Sequence, residues 1–429
     1  MPYTHLTDAC FSETIGEHGI GRGCFDALLE KADGALAILR SRYEDGSLPL
    51  LRLPEAREDL ERLEPVAARY RERYRDVVLI GTGGSSLGGQ TLCNLAEPGI
   101  SPRLHFFDNI DPHSLDTLLT SIDPLRTGFL VLSKSGSTAE TLSIFLICLA
   151  KMRESLGEAA AEHFVAITEP VDNVLRRICA EHGIAALDHD PGVGGRYSVL
   201  SLTGLLPAMI AGLDAGAVRD GAKDVLASVL GNAAPLDVAP AVGAAISIGL
   251  AQERNVSTTV LMPYADRLAD LGLWYRQLWA ESLGKDGKGT TPVKAIGTVD
   301  QHSQFQLYLD GPRDKMFTIV MLDVAGRGEV ISPDLARDGD LAYLAGRTLG
   351  DLMDAEQRAT AETLIRHQRP TRIIGLEALD ERAMGALFMH FMLETIIAAH
   401  LLGVDPFNQP AVEEGKVLAR RYLSESDGG

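Results

Sequence analysis

The sequence predicts an α/β protein of two parallel-sheet halves, 71–215 and 240–425, preceded by a helical segment over 1–70. Three observations lead there. Short, continuously apolar runs such as Val77-Val78-Leu79-Ile80 recur, and runs of this kind belong to strands buried on both faces of a parallel sheet. Helix-like segments alternate with them, which is the rhythm of βα units. Two of the runs lead directly into loops rich in glycine and serine, each followed at once by a helical segment.

The elements follow in order. Cys24–Ser41 is periodic, and Leu53–Arg75 is highly charged with its apolar residues on one side, so both read as helices covering a later sheet. Val77–Ile80 is the first strand. Gly81-Thr82-Gly83-Gly84-Ser85-Ser86-Leu87-Gly88-Gly89 follows it, a strand–loop–helix unit that presents backbone N–H groups to an anion. The order G-x-G-G-S is not the G-x-G-x-x-G of dinucleotide sites, and no acidic residue closes a second strand at the expected place, which argues against a nicotinamide cofactor. Leu104–Asp108 is the second strand. Gly128–Leu132 is the third, running into Ser133-Lys134-Ser135-Gly136-Ser137-Thr138-Ala139-Glu140-Thr141 and an apolar helix to about Met152. Ser137 and Glu140 have capping-box spacing. Ser133, Ser135, Ser137 and Thr138 then gather hydroxyls around the N–H groups at the positive end of the helix dipole, an arrangement suited to phosphate. Charge-assisted bonds worth about 1.5–3 kcal/mol each would let three or four hold a phosphate without a salt bridge.

His163–Thr168 is the fourth strand. Arg196 stands behind Gly194 and Gly195, from where its guanidinium can reach across a cleft, and Leu202–Leu213 is an apolar helix. Ala215–Pro240 is expected as the crossover between halves. Val242–Gln252 reads as a small-residue helix and Thr258–Met262 as a strand. An amphipathic helix then opens near Asp266, with Leu268, Leu271, Trp274, Leu278 and Trp279 on its buried face and a stop at Gly284 and Gly287. Gln277 and Glu281, four apart, project from one face. Glu281 sits in the last turn against the negative end of the dipole, a poor place for a carboxylate that only supports the helix and a suitable one for a base. His302 falls in a turn entering a short helix. Lys315–Val324 and Arg372–Leu376 are further strands, and Ala383–Leu402 is a long apolar helix. Pro410 suits the first turn of a terminal helix, with Lys416 about two turns in. Ser426-Asp427-Gly428-Gly429 is expected to fray.

Composition narrows the class. Forty Lys and Arg against 59 Asp and Glu give a formal charge of −19 over 429 residues, which disfavours nucleic acid and anionic membranes as partners. Mean hydropathy is +0.04, that of a folded chain. Five cysteines with no C-x-x-C pair suggest neither a disulfide framework nor a zinc site. Met1–Ile20 lacks the basic start and apolar core of a signal peptide. No apolar run is expected to cross a bilayer, the best candidate, Leu387–Val404, being interrupted by His390, Glu394 and His400. A cytoplasmic location is the expectation.

Six segments in order resemble the glucose-6-phosphate isomerase family. They are Gly81–Gly88, Ser133–Thr141, Gly194–Ser198 (G-G-R-Y-S), Gln277–Lys285 (Q-L-x-x-E-S-x-G-K), Asp300–Leu307 and Pro406–Lys416, and they span nearly the whole chain. Each is modest; the ordered set is specific, and the chain is as short as the compact bacterial branch. The departures are Thr82, Gly136, Asp300, Asn408 and Ala411, where that family more often has Ile, Phe, Gly, Asp and Gly. The resemblance implies two flavodoxin-like sugar-isomerase (SIS-type) domains of three αβα layers, a homodimer and no cofactor or metal. It implies that Ser85, Ser133, Ser135 and Thr138, with the backbone at Gly84 and Lys134, hold a phosphate. Glu281 is then the base between C2 and C1, Arg196 stabilises the enediolate, and Gln277 and Gln409 position the substrate. His302, given by the other subunit, and Lys416 open the sugar ring.

The chemistry agrees with that set. Aldose–ketose isomerisation needs an ionised base, positive charge where the enediolate oxygen develops, an acid/base for the closed ring and a remote anchor to orient the reacting carbons. A non-catalytic phosphosugar-binding regulator would keep the serine loop but has no need of Glu281, His302 and Lys416. An isomerase acting on mannose-6-phosphate as well is the nearer alternative, and Gln277 leans against it.

Overall fold

The computed structural model describes residues 2–97, 99 and 102–426, so most of the expected frayed tail, 427–429, lies outside the described residues. Among the described residues, ten strands form two five-stranded sheets. They are β1 (Thr4–Leu6), β2 (Asp76–Ile80), β3 (Arg103–Phe107), β4 (Thr127–Leu132), β5 (Phe164–Thr168), β6 (Ala185–Asp188), β7 (Thr258–Pro263), β8 (Thr291–Lys294), β9 (Lys315–Leu322) and β10 (Thr371–Leu376).

The first sheet is wholly parallel in the order β3-β2-β4-β5-β6. Its central strands β2, β4 and β5 are buried along their whole length, as their unbroken apolar runs require. Because the chain starts at β2, adds β3 on one side and then β4, β5 and β6 on the other, the direction of strand addition reverses between β2 and β4. Loops leaving the carboxyl ends of those two strands frame a crevice, the usual ligand position in such sheets. The second sheet runs β1-β10-β9-β7-β8, parallel except for β1. Alternate strand residues face different cores. Val77, Leu79, Leu130 and Val165 join Leu261, Met316, Val320 and Ile374 in one central core between the sheets, while Val78, Phe129 and Phe164, and separately Val260, Phe317 and Ile319, pack on the far sides.

Several expectations are corrected. The segment 1–70 is not only helical: Thr4–Leu6 pairs antiparallel with β10, Thr4 opposite Gly375, because Tyr3 beside it shares a 2.7 Å hydrogen bond with His390 Nδ1 and pins the chain end to the core. Three residues are too few to carry a period. β6 and β8 leave no signal in the sequence, since both are four-residue edge strands without a continuous apolar run, and β8 carries Pro292 where an edge permits it. Ala215–Pro240, expected as the crossover between halves, contains a buried helix, Ala215–Leu230. Gly221 lies against the Arg382 carbonyl and Gly385 against that of Val218 so closely that any Cβ would collide, which lets this helix and Glu381–Leu402 approach backbone to backbone. Glu381–Leu402 is itself long and apolar enough to cross a membrane by length and composition, but 83% of its apolar window is buried inside the protein. It is a core helix that carries a buried Arg372–Glu394–His390 network, with Arg372 Nη1 donating to Glu394 at 2.9 Å.

Candidate active site

β2 and β4 are paired with Ile80 opposite Val131, so the loops after them leave the sheet side by side. After β2 the chain makes a tight 3-10 turn at Gly83–Ser85 before the Leu87–Cys93 helix. Two glycines set its position. A Cβ on Gly83 would lie 2.8 Å from Gln277 Nε2, and one on Gly84 would lie 2.3 Å from the carbonyl carbon of Gly195. The loop is therefore wedged between the Arg196 segment and the helix that bears Glu281. Ser85 is half-buried, and the buried Ser86 hydroxyl has no partner.

After β4, the helix Ala139–Leu156 begins with Thr138 as its N-cap and no side-chain cap bond. The expected Ser137/Glu140 capping box does not form. The helix starts one residue later than that box needs, and Ser137 is occupied in donating its hydroxyl to Ser135 at 3.1 Å. Ser133, buried, donates to Thr138 Oγ1 at 3.2 Å. The hydroxyls thus bond to each other, and the amides of Lys134 and Ser135 have no acceptor among the described residues. Gly136 takes φ +61°, and a Cβ there would sit 1.9 Å from Asn173 Oδ1, so no aromatic side chain has room at this position. The Lys134 side chain turns away from the loop to the Pro191 carbonyl, 2.9 Å, and Glu169. It ties this loop to the glycine turn that leads to Arg196.

Arg196 is buried and ties its own segment to two others. Its Nε donates to Ser282 Oγ at 2.8 Å. Nη1 donates to Gln409 Oε1 at 2.8 Å and to Glu281 Oε2 at 3.2 Å. Nη2 donates to the carbonyls of Pro406 at 2.5 Å and Asn408 at 3.1 Å. The Leu271–Leu283 helix places Glu281 there. Leu271, Trp274, Leu278 and Trp279 are buried on its inner side, and Gln277 and Glu281 share the face toward Arg196, with Gln277 Nε2 donating to Glu281 Oε1 at 3.1 Å. The helix opens at Leu271, not near Asp266, where a separate 3-10 turn ends at Leu268. Glu281 keeps about a third of its side chain exposed, and the buried Gln277 Oε1 has no hydrogen-bond partner. That last atom is an acceptor awaiting a donor.

Sequence reasoning missed Ser282, Tyr197 and Lys285. Tyr197 shares a 3.0 Å hydroxyl bond with Ser282, and Lys285 donates to the carbonyls of Ser282 and Asp405. Ser282 and Lys285 sit inside the quoted Gln277–Lys285 motif, so the signal was present without an assigned purpose. His302 and Lys416 are not brought to this cluster within one chain. His302 is exposed within the short Val299–Ser303 helix, rather than in a turn before it, and its imidazole makes no hydrogen bond or ion pair among the described residues. Its neighbour Gln301 accepts from Tyr264 at 2.7 Å and donates to Glu356 at 2.7 Å. Pro410 opens a 3-10 turn; the terminal helix is Glu413–Ser426, so Lys416 is in its first turn, exposed and paired with Glu413 at 2.7 Å.

The serine loop, whose Lys134 and Ser135 amides have no acceptor among the described residues, leaves the sheet beside the glycine loop, and the glycine loop is wedged against the segment and helix that bring Arg196, Gln277 and Glu281 together: an α/β protein with the means to hold an anionic group and a carboxylate held by an arginine and a glutamine. Comparison with known proteins narrows this. The family model for phosphoglucose isomerase matches residues 68–429, and the chain belongs to that family. A glucose-6-phosphate isomerase of Rubrobacter xylanophilus is 41% identical over 377 residues, covering 85% of this chain and 87% of the relative. One from Thermus thermophilus is 38% identical over 424 residues, covering 96% and 97%. Among solved structures, a hypothetical protein from Thermus thermophilus superposes with a TM-score of 0.84 at 36% identity, covering 98% of this chain and 99% of that one. A glucose-6-phosphate isomerase from Chlamydia trachomatis shares the fold, TM-score 0.81 at 20% identity, over 100% of this chain and 89% of that one.

Proposed function

We propose that this protein interconverts glucose-6-phosphate and fructose-6-phosphate, with Glu281 as the base that carries the proton. The observation that supports this most is the Arg196–Glu281–Gln277 cluster against the Gly83–Ser85 turn. Ser85, Ser133, Ser135 and Thr138, with the amides at Gly84 and Lys134, hold the phosphate and so orient C1 and C2. The ionised carboxylate takes the proton from C2 of the open aldose. The C–H electron pair becomes the C1–C2 double bond, and the carbonyl pair moves onto O1 as the enediolate forms. Arg196 stabilises that oxygen, and Gln409 and the unpaired Gln277 oxygen meet substrate hydroxyls. Glu281 then returns the proton to C1, while the O2 proton passes to O1. One preorganised donor of this kind is typically worth about 10²–10³ in rate.

His302 and Lys416 act at the ring oxygen before this step. Both are exposed and lie apart from Arg196, which suits a site completed by a second copy of the chain, with His302 crossing between subunits in a cytoplasmic homodimer. The test is a coupled assay: fructose-6-phosphate with EDTA present, following glucose-6-phosphate through a dehydrogenase. Turnover that survives EDTA and disappears in Glu281→Gln, with substrate analogues still bound, is expected. Retained turnover in Glu281→Gln removes the base assignment. Binding without turnover in the unaltered protein would favour a phosphosugar-binding regulator.

A further inference from the structure

Arg196 directs three of its five hydrogen bonds to one strap of chain, Pro406 O, Asn408 O and Gln409 Oε1. The strap has no strand or helix to hold it: it lies between the end of Glu381–Leu402 and the turn at Pro410. Its anchors are few. Lys285 donates to the Asp405 carbonyl at 2.5 Å and to Ser282 O at 2.8 Å. The Phe407 amide donates to Asp405 Oδ1 at 2.9 Å, and the Phe407 ring lies 5.4 Å from Tyr197 and 5.2 Å from the Arg42 guanidinium. Of these, Lys285 and Tyr197 are each bonded both to the helix end that carries Glu281 and Ser282 and to the strap that carries the acceptors of Arg196; the Tyr197 hydroxyl meets Ser282 Oγ at 3.0 Å and donates to the Pro406 carbonyl at 3.4 Å, while Lys285 makes the shorter pair of bonds and brings a charge.

We infer that Lys285 is a positioning residue for this reaction: its ammonium sets the distance between the Glu281 helix and the 405–409 strap, and so fixes the Arg196 guanidinium where the developing oxygen needs it. The geometry is one of a single donor head gripping two carbonyls, one of them on a residue 120 positions further along the chain. The lysine head carries three donors, enough to bond both carbonyls at once. The ammonium belongs to the same electrostatic cluster. Burial first, then the neighbouring Arg196 charge, pull its pKa below the ordinary lysine value, while Asp405 and Glu281 oppose that shift. The inference rests on the isomerase reading above.

The test uses the full chain with Lys285→Met, Lys285→Arg and Lys288→Met. Lys288 donates to the Leu402 carbonyl at 2.8 Å, a similar bond to the same connection but short of the atoms that hold Arg196, and it serves as the control. A displacement of the order of 1 Å at a reacting centre can cost about 100-fold in rate. In Lys285→Met, kcat is expected to fall by about tenfold or more with KM within about threefold, because the phosphate loop is untouched. Lys285→Arg, which can still donate to both carbonyls, recovers most of the loss, and Lys288→Met stays within about threefold of the unaltered protein. Unchanged kcat in Lys285→Met, an equal loss in Lys288→Met, a loss seen only in KM, or no recovery in Lys285→Arg would each overturn the assignment. Absent turnover in the unaltered protein is a different failure, that of the isomerase reading itself.

Discussion

Gly84→Ala isolates the contact between the glycine loop after β2 and the Arg196 segment. A methyl group at Gly84 would stand 2.3 Å from the Gly195 carbonyl carbon, 2.4 Å from its oxygen and 2.7 Å from the Arg196 nitrogen. Ordinary contact begins near 3.4 Å, so the loops must part by about 1 Å, and the atoms in the way are backbone, which has no rotamer to escape into. Backbone strain plays no part, because Gly84 is not in the left-handed region. Overpacking of this kind typically costs about 1–3 kcal/mol in stability. Unfolding entropy of about 2.1 cal/mol/K per residue, applied to a chain of 429 residues, gives a Tm loss of about 1–3 °C if the chain unfolds as one unit. Activity is expected to suffer far more: moving Arg196 by about 1 Å predicts a kcat/KM loss of about 100-fold. Gly195→Ala is the internal control, since a Cβ there meets nothing within 4 Å. Steady-state kinetics and a thermal melt on both variants decide the matter. Gly84→Ala with activity within about threefold of the unaltered protein, or Gly195→Ala losing as much, would refute the coupling.

Ser135→Ala with Thr138→Ala removes two hydroxyls from the serine loop after β4, the proposed phosphate site, and is expected to raise KM on the order of 100-fold while kcat changes little; unchanged KM would take that loop out of the binding proposal. Glu394→Gln leaves the Arg372 guanidinium, 1% exposed, without its charge partner, and is expected to cost about 3–5 kcal/mol, a Tm loss of about 3–6 °C, with kcat preserved in the folded fraction. A melt unchanged by this substitution would mean the network contributes nothing. The same network sets an acid limit. Burial opposes ionisation of Glu394, but the Arg372 charge and the His390 bond outweigh it and hold the carboxyl at about 2, while burial keeps His390 below its ordinary value despite Glu394. As pH falls through the unfolded histidine range near 6.5, and then through the carboxyl range near 4.5 toward 2, the unfolded chain binds protons that the folded chain refuses. Stability therefore declines over that whole window. Urea midpoints that stay flat from about pH 7 to about pH 4 would contradict it.

The parts legible in the sequence are those written in one contiguous stretch. The buried runs of β2, β4 and β5 are apolar without a break, and the glycine and serine loops after β2 and β4 stand directly behind them. The spacing of Gln277 and Glu281 on a helix whose other side carries Trp274 and Leu278 is equally local. What escapes a sequence reading is either short or relational. β1, β6 and β8 are edge strands of three or four residues, whose pairing is decided by what lies beside them. The acceptors of Arg196 include two main-chain carbonyls, and a carbonyl leaves no mark on a sequence. The serine loop is a cluster of hydroxyls, as its composition says, and not the capping box its spacing suggests, because spacing gives the candidates for a bond but not which of several nearby hydroxyls takes it.

One electrostatic consequence follows from the way Arg196 is held. All its donors already have acceptors, and four of the five bonds go to neutral oxygens; Glu281 supplies the single charged acceptor, at 3.2 Å, the longest of the five. In the proposed reaction the carboxylate loses its charge on taking the proton from C2, at the moment when the substrate oxygen acquires one. The Nη1–Glu281 bond weakens as the demand for a donor appears on the substrate, so the guanidinium exchanges one anionic partner for another without itself moving. The other four bonds are what keep it still during that exchange, which is preorganisation in the sense that matters for rate: the environment is arranged for the charge before the charge arrives. The buried guanidinium is thus never left without an anion, a condition that would cost several kcal/mol. It also explains why the strap must be rigid. An arginine free to follow Glu281 would keep its ground-state partner and give the developing oxygen less.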